Sequence, residues 1–251
     1  MRYSGFTDTG VTRQQNQDIF LFRQCADCFI ALLCDGVGGH LGGDMAADIA
    51  IHTFADKLEE KLNDLKENVN DLFERYLPNY IEKFLHLSID YANEAVWKAA
   101  SIGKGKPGMC TTLLCTVIYK HHVWILSVGD SRMYEIAPLP RQITKDQSLV
   151  QSLLDAGQIS EENAKYHPQK NVIFSAVGAN KKVEGDFYHI EQPAKRYLLC
   201  SDGLSDYMDV YSFDDLFSAA YSPEELCKVL IQKSNALGGK DNITVLIIEI
   251  D

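Results

Sequence analysis

From Asp44 to Ala100 the apolar residues recur at helical spacing, and on both sides of that block they gather in short runs with β character. In the first helical stretch, Asp44 to Lys66, the recurring positions are Ile49, Ala50, Phe54, Leu58, Leu62 and Leu65, which share one face of a helix. The second stretch covers about Asp71 to Ala100, with an early break expected near Pro78. Strand-like runs precede the block at Asp18 to Gln24 and Cys28 to Cys34. Others follow it at Thr111 to Lys120, His122 to Val128, about Gly185 to Glu191, Tyr197 to Cys200 and Ile243 to Ile250. Ser148 to Ala164 reads as a short helical stretch interrupted by Gly157, and Phe213 to Ala220 and Pro223 to Asn235 as two more helices. Strands outnumber what a βαβ alternation would give, and helix pairs are inserted between strand groups. The pattern predicts antiparallel sheets with helices packed outside, in the α+β class.

The 251 residues contain no internal repeat or low-complexity linker, and 46% hydrophobic with 24% charged residues is ordinary globular composition. No segment approaches the roughly 18 apolar residues of a membrane helix. Met1-Arg2-Tyr3-Ser4-Gly5 has no apolar leader, so a cytoplasmic location without membrane attachment is expected. The chain ends one residue past the last strand-like run, so no sensor domain or anchor is expected. A net charge of −11 repels nucleic-acid backbone and disfavours that class of partner. The seven Cys are scattered, mostly in apolar runs, and read as small buried hydrophobes. Cys25-Ala26-Asp27-Cys28 lacks the second ligand pair a zinc site needs. His121-His122 falls at a turn between two strand-like runs; neighbours on a strand point to opposite faces, so the pair reads as exposed turn rather than metal site.

Four carboxylates share an unusual context. Asp35 follows Ala31-Leu32-Leu33-Cys34, Asp130 follows Ile125 to Gly129, and Asp202 follows Leu198 to Ser201. Asp241 precedes Asn242 and the last strand-like run; a fifth, Asp18, opens the first such run. Carboxylates at strand ends can be made to converge by a rigid scaffold, and the Gly beside Asp35, Asp130 and Asp202 allows close backbone approach. Mg²⁺ and Mn²⁺ prefer all-oxygen shells, and the lack of His or Cys at these positions argues against zinc. Each site alone is more often a turn than a ligand.

Taken together, the motifs resemble those of the protein phosphatase 2C family, in its bacterial branch, across nearly the whole chain. Thr9 to Asp18 looks like the family's opening G-x-x-R-x-x-N-[EQ]-D, and Cys34 to His40 like its D-G-[MV]-G-G-H loop. Met109 to Leu113 is similar to M-G-T-T, with Cys110 in place of Gly. Val128 to Arg132 matches V-G-D-S-R, Ser201 to Leu204 matches S-D-G-[LV], and Gly239 to Thr244 matches G-x-D-N-[IV]-T. Ala156 to Ile159, with His167-Pro168 and Asn171, resembles the bacterial flap segment, placed at about residues 146–175. Phe174-Ser175 stands where that pattern has Thr-Arg.

The resemblance implies one catalytic domain over residues 1–251, a central antiparallel β-sandwich flanked by α-helices on both faces. It implies a metal-dependent serine/threonine protein phosphatase with two core Mn²⁺ or Mg²⁺ ions and a third, weaker one. Asp35 resembles the carboxylate bridging the core ions, with the Gly36 carbonyl a ligand beside it. Asp202 resembles a ligand of one ion, and Asp18 and Asp241 ligands of the other. Asp130 resembles the third-ion ligand, shared with Asp202. Arg13 matches the phosphate-binding arginine, so Arg13, Asp35 and Asp202 form the expected catalytic set. Val37 stands where animal members carry a His proposed as general acid, which leaves a water near Asp130 as the expected proton donor. His40 reads as a structural residue near a helix start. Expected partners are phosphoserine and phosphothreonine proteins and a serine/threonine kinase, with the chain a monomer in signalling. The rival readings are a pseudophosphatase that binds phosphoproteins without turnover, and a hydrolase of another phosphoester on the same scaffold.

Overall fold

In the computed structural model the described residues are 1–37, 42–101, 105–137, 140–208, 210, 216–217, 219 and 221–250. The chain forms two compact units. The first comprises Met1–Asp18, Gly129–Ser175 and Ala194–Asp251, and the second Ile19–Val128 and Ala176–Pro193. His40 and most of the expected helix Phe213 to Ala220 lie outside the described residues.

The first unit holds a five-stranded sheet of β1 (Arg2–Asp8), β7 (Arg132–Ile136), β8 (Pro140–Gln142), β10 (Arg196–Cys200) and β11 (Ile243–Glu249). Its order is β1-β11-β10-β7-β8, with antiparallel neighbours. Central β11 is buried along its whole length, which is why it reads as a continuous apolar run. One helix, Pro223–Ala236, packs Leu226, Cys227, Leu230 and Ile231 into the core that Val245 and Ile247 of β11 also enter. Pro223 sits in its first turn, and Ser222 and Glu225 close a reciprocal capping box. β1, β7 and β8 are absent from the sequence reading: β1 is half-exposed, and β7 and β8 are too short to show a period.

The second unit holds β2 (Asp18–Cys25), β3 (Cys28–Val37), β5 (Leu113–Tyr119), β6 (His122–Val128) and β9 (Asp186–Ile190), in the order β2-β3-β5-β6-β9. The long helices α1 (Gly43–Val69) and α2 (Phe73–Ser101) pack their apolar stripes into this unit's core, with Phe54, Leu58, Leu62, Leu77, Ile81 and Leu85 fully buried. The break between the helices is not at Pro78, which lies inside α2. It falls at Asn70, whose φ of 41° ends α1 before a single 3₁₀ turn, Asn70–Leu72. Asn tolerates left-handed backbone, whereas Pro78 costs α2 only one hydrogen bond.

The expected stop at Asp35 is also corrected. β3 runs on to Val37, pairing Gly36 with Thr111 and Val37 with Cys110 of β4 (Cys110–Thr111). The extension is held by Thr112 Oγ1, which accepts from the Asp35 amide at 2.9 Å, and by Thr111 Oγ1, which donates to the Asp35 carbonyl at 2.9 Å. The two units thus build antiparallel sheets with helices, the α+β class expected.

Candidate metal centre

Four of the five candidate aspartates, and Arg13, lie in the first unit. Asp18 stands where the loop after β1 ends and β2 begins. Its Oδ2 accepts from Ser201 Oγ at 2.8 Å and Thr244 Oγ1 at 2.7 Å. Because Thr244 gives its proton to Asp18, Thr7 Oγ1, 2.7 Å away, must donate to Thr244, and Thr7 in turn accepts from Asn16 Nδ2. This chain of donors fixes the position of a buried carboxylate oxygen.

Asn242 ties the loop carrying Arg13 and Asp18 to the start of β11. Its Oδ1 accepts from the Gln17 amide at 2.9 Å, and its Nδ2 donates to the Thr9 and Gln15 carbonyls at 3.0 and 2.9 Å. The neighbouring Asp241 places Oδ2 2.7 Å from Arg13 Nη2. Gly10 has a φ of 78°, and a Cβ on it would lie 2.1 Å from the Asp241 carbonyl oxygen. Glycine is required there on both counts.

Asp202 follows β10 and opens a single short helical turn, Asp202–Ser205. A Cβ on Gly203 would stand 1.9 Å from the Asn242 carbonyl, so this glycine lets the two aspartate-bearing segments touch. Asp130 follows Gly129, whose amide donates to Gln147 Oε1 and whose carbonyl accepts from the Gln147 amide. Arg132 forms a bidentate pair with Asp146.

The carboxylates perturb one another. Burial, then the charges of Asp146 and Asp206, push the Asp130 pKa up to about 7, against the opposing pull of Arg132. Burial and the charges of Asp130, Asp206, Asp241 and Asp18 hold Asp202 well above the carboxylate range. Asp202 Oδ1 is buried with no hydrogen-bond partner among the described residues. An orphaned carboxylate oxygen surrounded by four like charges fits a divalent cation, and the donors are all oxygen, as Mg²⁺ and Mn²⁺ require. Among the described residues no three His, Cys, Asp or Glu side chains already stand close enough to hold an ion. Two outer carboxylates are instead engaged by cationic side chains: Arg13 holds Asp241, and Lys170 Nζ lies 2.5 Å from Asp206 Oδ2.

Asp35 and Gly36 belong to the second unit, on the β3 extension. Asp206, Lys170, Asp146 and Arg132 received no role from the sequence. Asp206, four residues after Asp202 across one helical turn, was the readable signal; the partners Lys170 and Asp146 lie in segments with no pattern of their own.

The protein-family model described as "Protein phosphatase 2C" matches residues 11–233. The chain is 36% identical to the serine/threonine phosphatase stp of Listeria welshimeri over 97% of its own length and 93% of that relative. Its structure resembles the serine/threonine phosphatase Stp1 from Staphylococcus aureus, with a TM-score of 0.86 and 31% identity over 99% and 94% of the two chains. It also resembles the catalytic domain of the serine threonine protein phosphatase PstP in complex with two manganese ions, at TM-score 0.81 and 29% identity over 100% and 98%. Matches of this extent, a family model over most of the chain and a relative 36% identical over nearly its whole length, make it a member of the protein phosphatase 2C family.

Proposed function

We propose that this chain hydrolyses phosphoserine and phosphothreonine in proteins, with Mn²⁺ or Mg²⁺ as cofactor. The observation that carries the reading is the buried Asp202 carboxylate, with one oxygen unpartnered among the described residues and the charges of Asp130, Asp206, Asp241 and Asp18 near enough to raise its pKa. By their motif matches Asp18 and Asp241 would hold one core ion and Asp202 the other, with Asp130, together with Asp202, holding a third, weaker one. Asp35 and the Gly36 carbonyl complete the set on the strength of their motif match. The bound cations would supply the Lewis acidity that turns a water into a nucleophile at neutral pH.

The protein's own groups do the rest. Ser201 and Thr244 donate to Asp18 and keep it aimed. Arg13, 43% exposed at its side chain, is accessible to a phosphoryl group and can meet two of its oxygens with one planar fork. Asp130, whose pKa is near neutrality, can hold and release a proton for the leaving alkoxide. All the aspartates that turnover needs are present, which favours this reading over a pseudophosphatase. Because the family match runs through both units, we treat residues 1–251 as one catalytic domain. Among the described residues no helix is long and apolar enough to cross a membrane. A cytoplasmic monomer paired with a serine/threonine kinase completes the reading.

The test is phosphate release from a phosphothreonine peptide with Mn²⁺ and with excess EDTA, for wild type and Asp202→Ala. Release that needs metal and vanishes in the folded variant is expected. A folded wild type inert towards several phosphopeptides with either metal would leave the binding-protein reading in its place.

A further inference from the structure

The second unit carries a pair of imidazoles that the phosphatase chemistry does not use. His122, the first residue of β6, and His189, near the end of β9, lie on neighbouring antiparallel strands. His122 Nδ1 and His189 Nε2 stand 3.0 Å apart. Both rings lie nearly parallel to the indole of Trp124, at centroid distances of 5.1 and 5.2 Å and interplanar angles of 15° and 16°. Trp124 is 1% exposed and locked in the core, so it is a fixed floor beneath both rings. The pair itself faces solvent. Burial and the adjacent His122 hold the His189 pKa below its ordinary value, which keeps the ring neutral with a lone pair to offer.

We propose that His122 and His189 form a two-nitrogen site for a late first-row divalent cation of the Zn²⁺, Ni²⁺ and Cu²⁺ class. Two nitrogens at this separation can both bond one ion at roughly 2.0–2.1 Å with an angle of about 95° at the metal. Imidazole donors suit these ions, whereas Mg²⁺ and Mn²⁺ prefer the oxygen set of the aspartate centre. Among the described residues no third protein ligand joins the pair, so water completes the shell. The proton that now lies between the two nitrogens moves through solvent to the distal nitrogen of its own ring as the ion binds, so two neutral imidazoles take up the ion with no net proton release and no electron transfer. The ion would clip β9, the edge strand of its sheet, to β6.

The test uses the full chain saturated with Mg²⁺, which is silent in electron paramagnetic resonance, and one equivalent of Cu²⁺ as the probe. Wild type should show superhyperfine splitting from two equatorial nitrogens, and excess Zn²⁺ should diminish that signal. His122→Asn and His189→Asn should each lose the two-nitrogen signal, while His121→Asn, on the adjacent turn, should keep it. Amide exchange along β9 should slow with Zn²⁺ in wild type and in neither site variant. A nitrogen signal that survives both site variants, or an oxygen-only signal in wild type, would overturn the proposal. His189 is surface-exposed on an edge strand, so its variant is expected to fold and keeps the test decisive.

Discussion

Arg132 and Asp146 form a fork-to-fork pair, with Nε 2.9 Å from Asp146 Oδ1 and Nη2 2.6 Å from Oδ2, and both charges act on Asp130. Burial alone would lower the pKa of the guanidinium; the Asp146 charge and hydrogen bonds outweigh it and hold Arg132 firmly charged. Asp146 is 8% exposed, so removing its charge strands a largely desolvated cation. We expect Asp146→Asn to cost about 2–4 kcal/mol of stability, read by urea unfolding. Arg132→Lys should recover less than half of the pair, because an ammonium cannot make the two parallel bonds. Equal stability of Lys and Arg at this position would show that the fork geometry is irrelevant.

Asn242 makes three hydrogen bonds to the backbone of residues 9–17, and at 5% exposure water cannot replace them. At about 1 kcal/mol each, Asn242→Ala should lose roughly 3 kcal/mol. The loss should be local first: amide exchange of residues 9–18 should quicken more than that of β10. Phosphate release should fall with it, since Arg13 and Asp18 ride on this loop. Uniform acceleration across the unit would mean that Asn242 supports the whole sheet rather than the loop.

Much of this was legible in the sequence, for a physical reason. Buried strands such as β3, β5 and β11 carry continuous apolar runs, and α1 carries an unbroken 3.6-residue stripe, so each announces itself locally. Asp18, Asp130, Asp202 and Asp241 were readable because each abuts such an element and sits in a motif. What stayed hidden depends on distant partners. Asp146 meets Arg132 across a hairpin, Lys170 reaches Asp206 over 36 residues, and His122 meets His189 over 67. His122 was paired with His121 by sequence adjacency, whereas strand register pairs its face with β9. The continuation of β3 past Asp35 was likewise invisible, because it rests on two threonine hydroxyls from β4 and the residue after it.

Gly10 is where backbone freedom and close packing coincide. Gly10→Ala would bring a methyl group against the Asp241 carbonyl at a φ that L-residues avoid, so one of the two loops must move. Because the displaced carbonyl belongs to a proposed metal ligand, the effect should exceed a stability loss. We expect apparent Mn²⁺ affinity, measured by titrating activity, to weaken at least tenfold while circular dichroism is retained. Gly157→Ala is the matched control: its φ is 66° but no atom lies within 4 Å of the added carbon. It should cost about 1 kcal/mol through strain and leave the metal titration unchanged. Similar shifts in both variants would assign the effect to strain alone.

The raised pKa of Asp130 fixes the sign of a pH effect on stability. An unfolded Asp titrates near 3.9, whereas folded Asp130 titrates at about 7. Between those values the folded chain holds the proton more tightly, so this residue's contribution is fully present below about pH 4 and is lost as pH rises through 7. The direction is opposite to that of a salt-bridged carboxylate. In EDTA, wild type should therefore lose stability relative to Asp130→Asn between pH 5 and pH 8, by about 3 kcal/mol at most. Taking the difference between the two proteins cancels other groups, including His189, whose lowered pKa acts with the reverse sign. Saturating Mn²⁺ should shrink the pH-dependent difference, because a cation neutralises the like charges that raise the Asp130 pKa. Urea midpoints at three pH values, with EDTA and with Mn²⁺, measure this directly. A difference that grows in favour of wild type as pH rises would mean that Asp130 is stabilised as an anion, and that the surrounding carboxylates do not act on it as a repelling cluster.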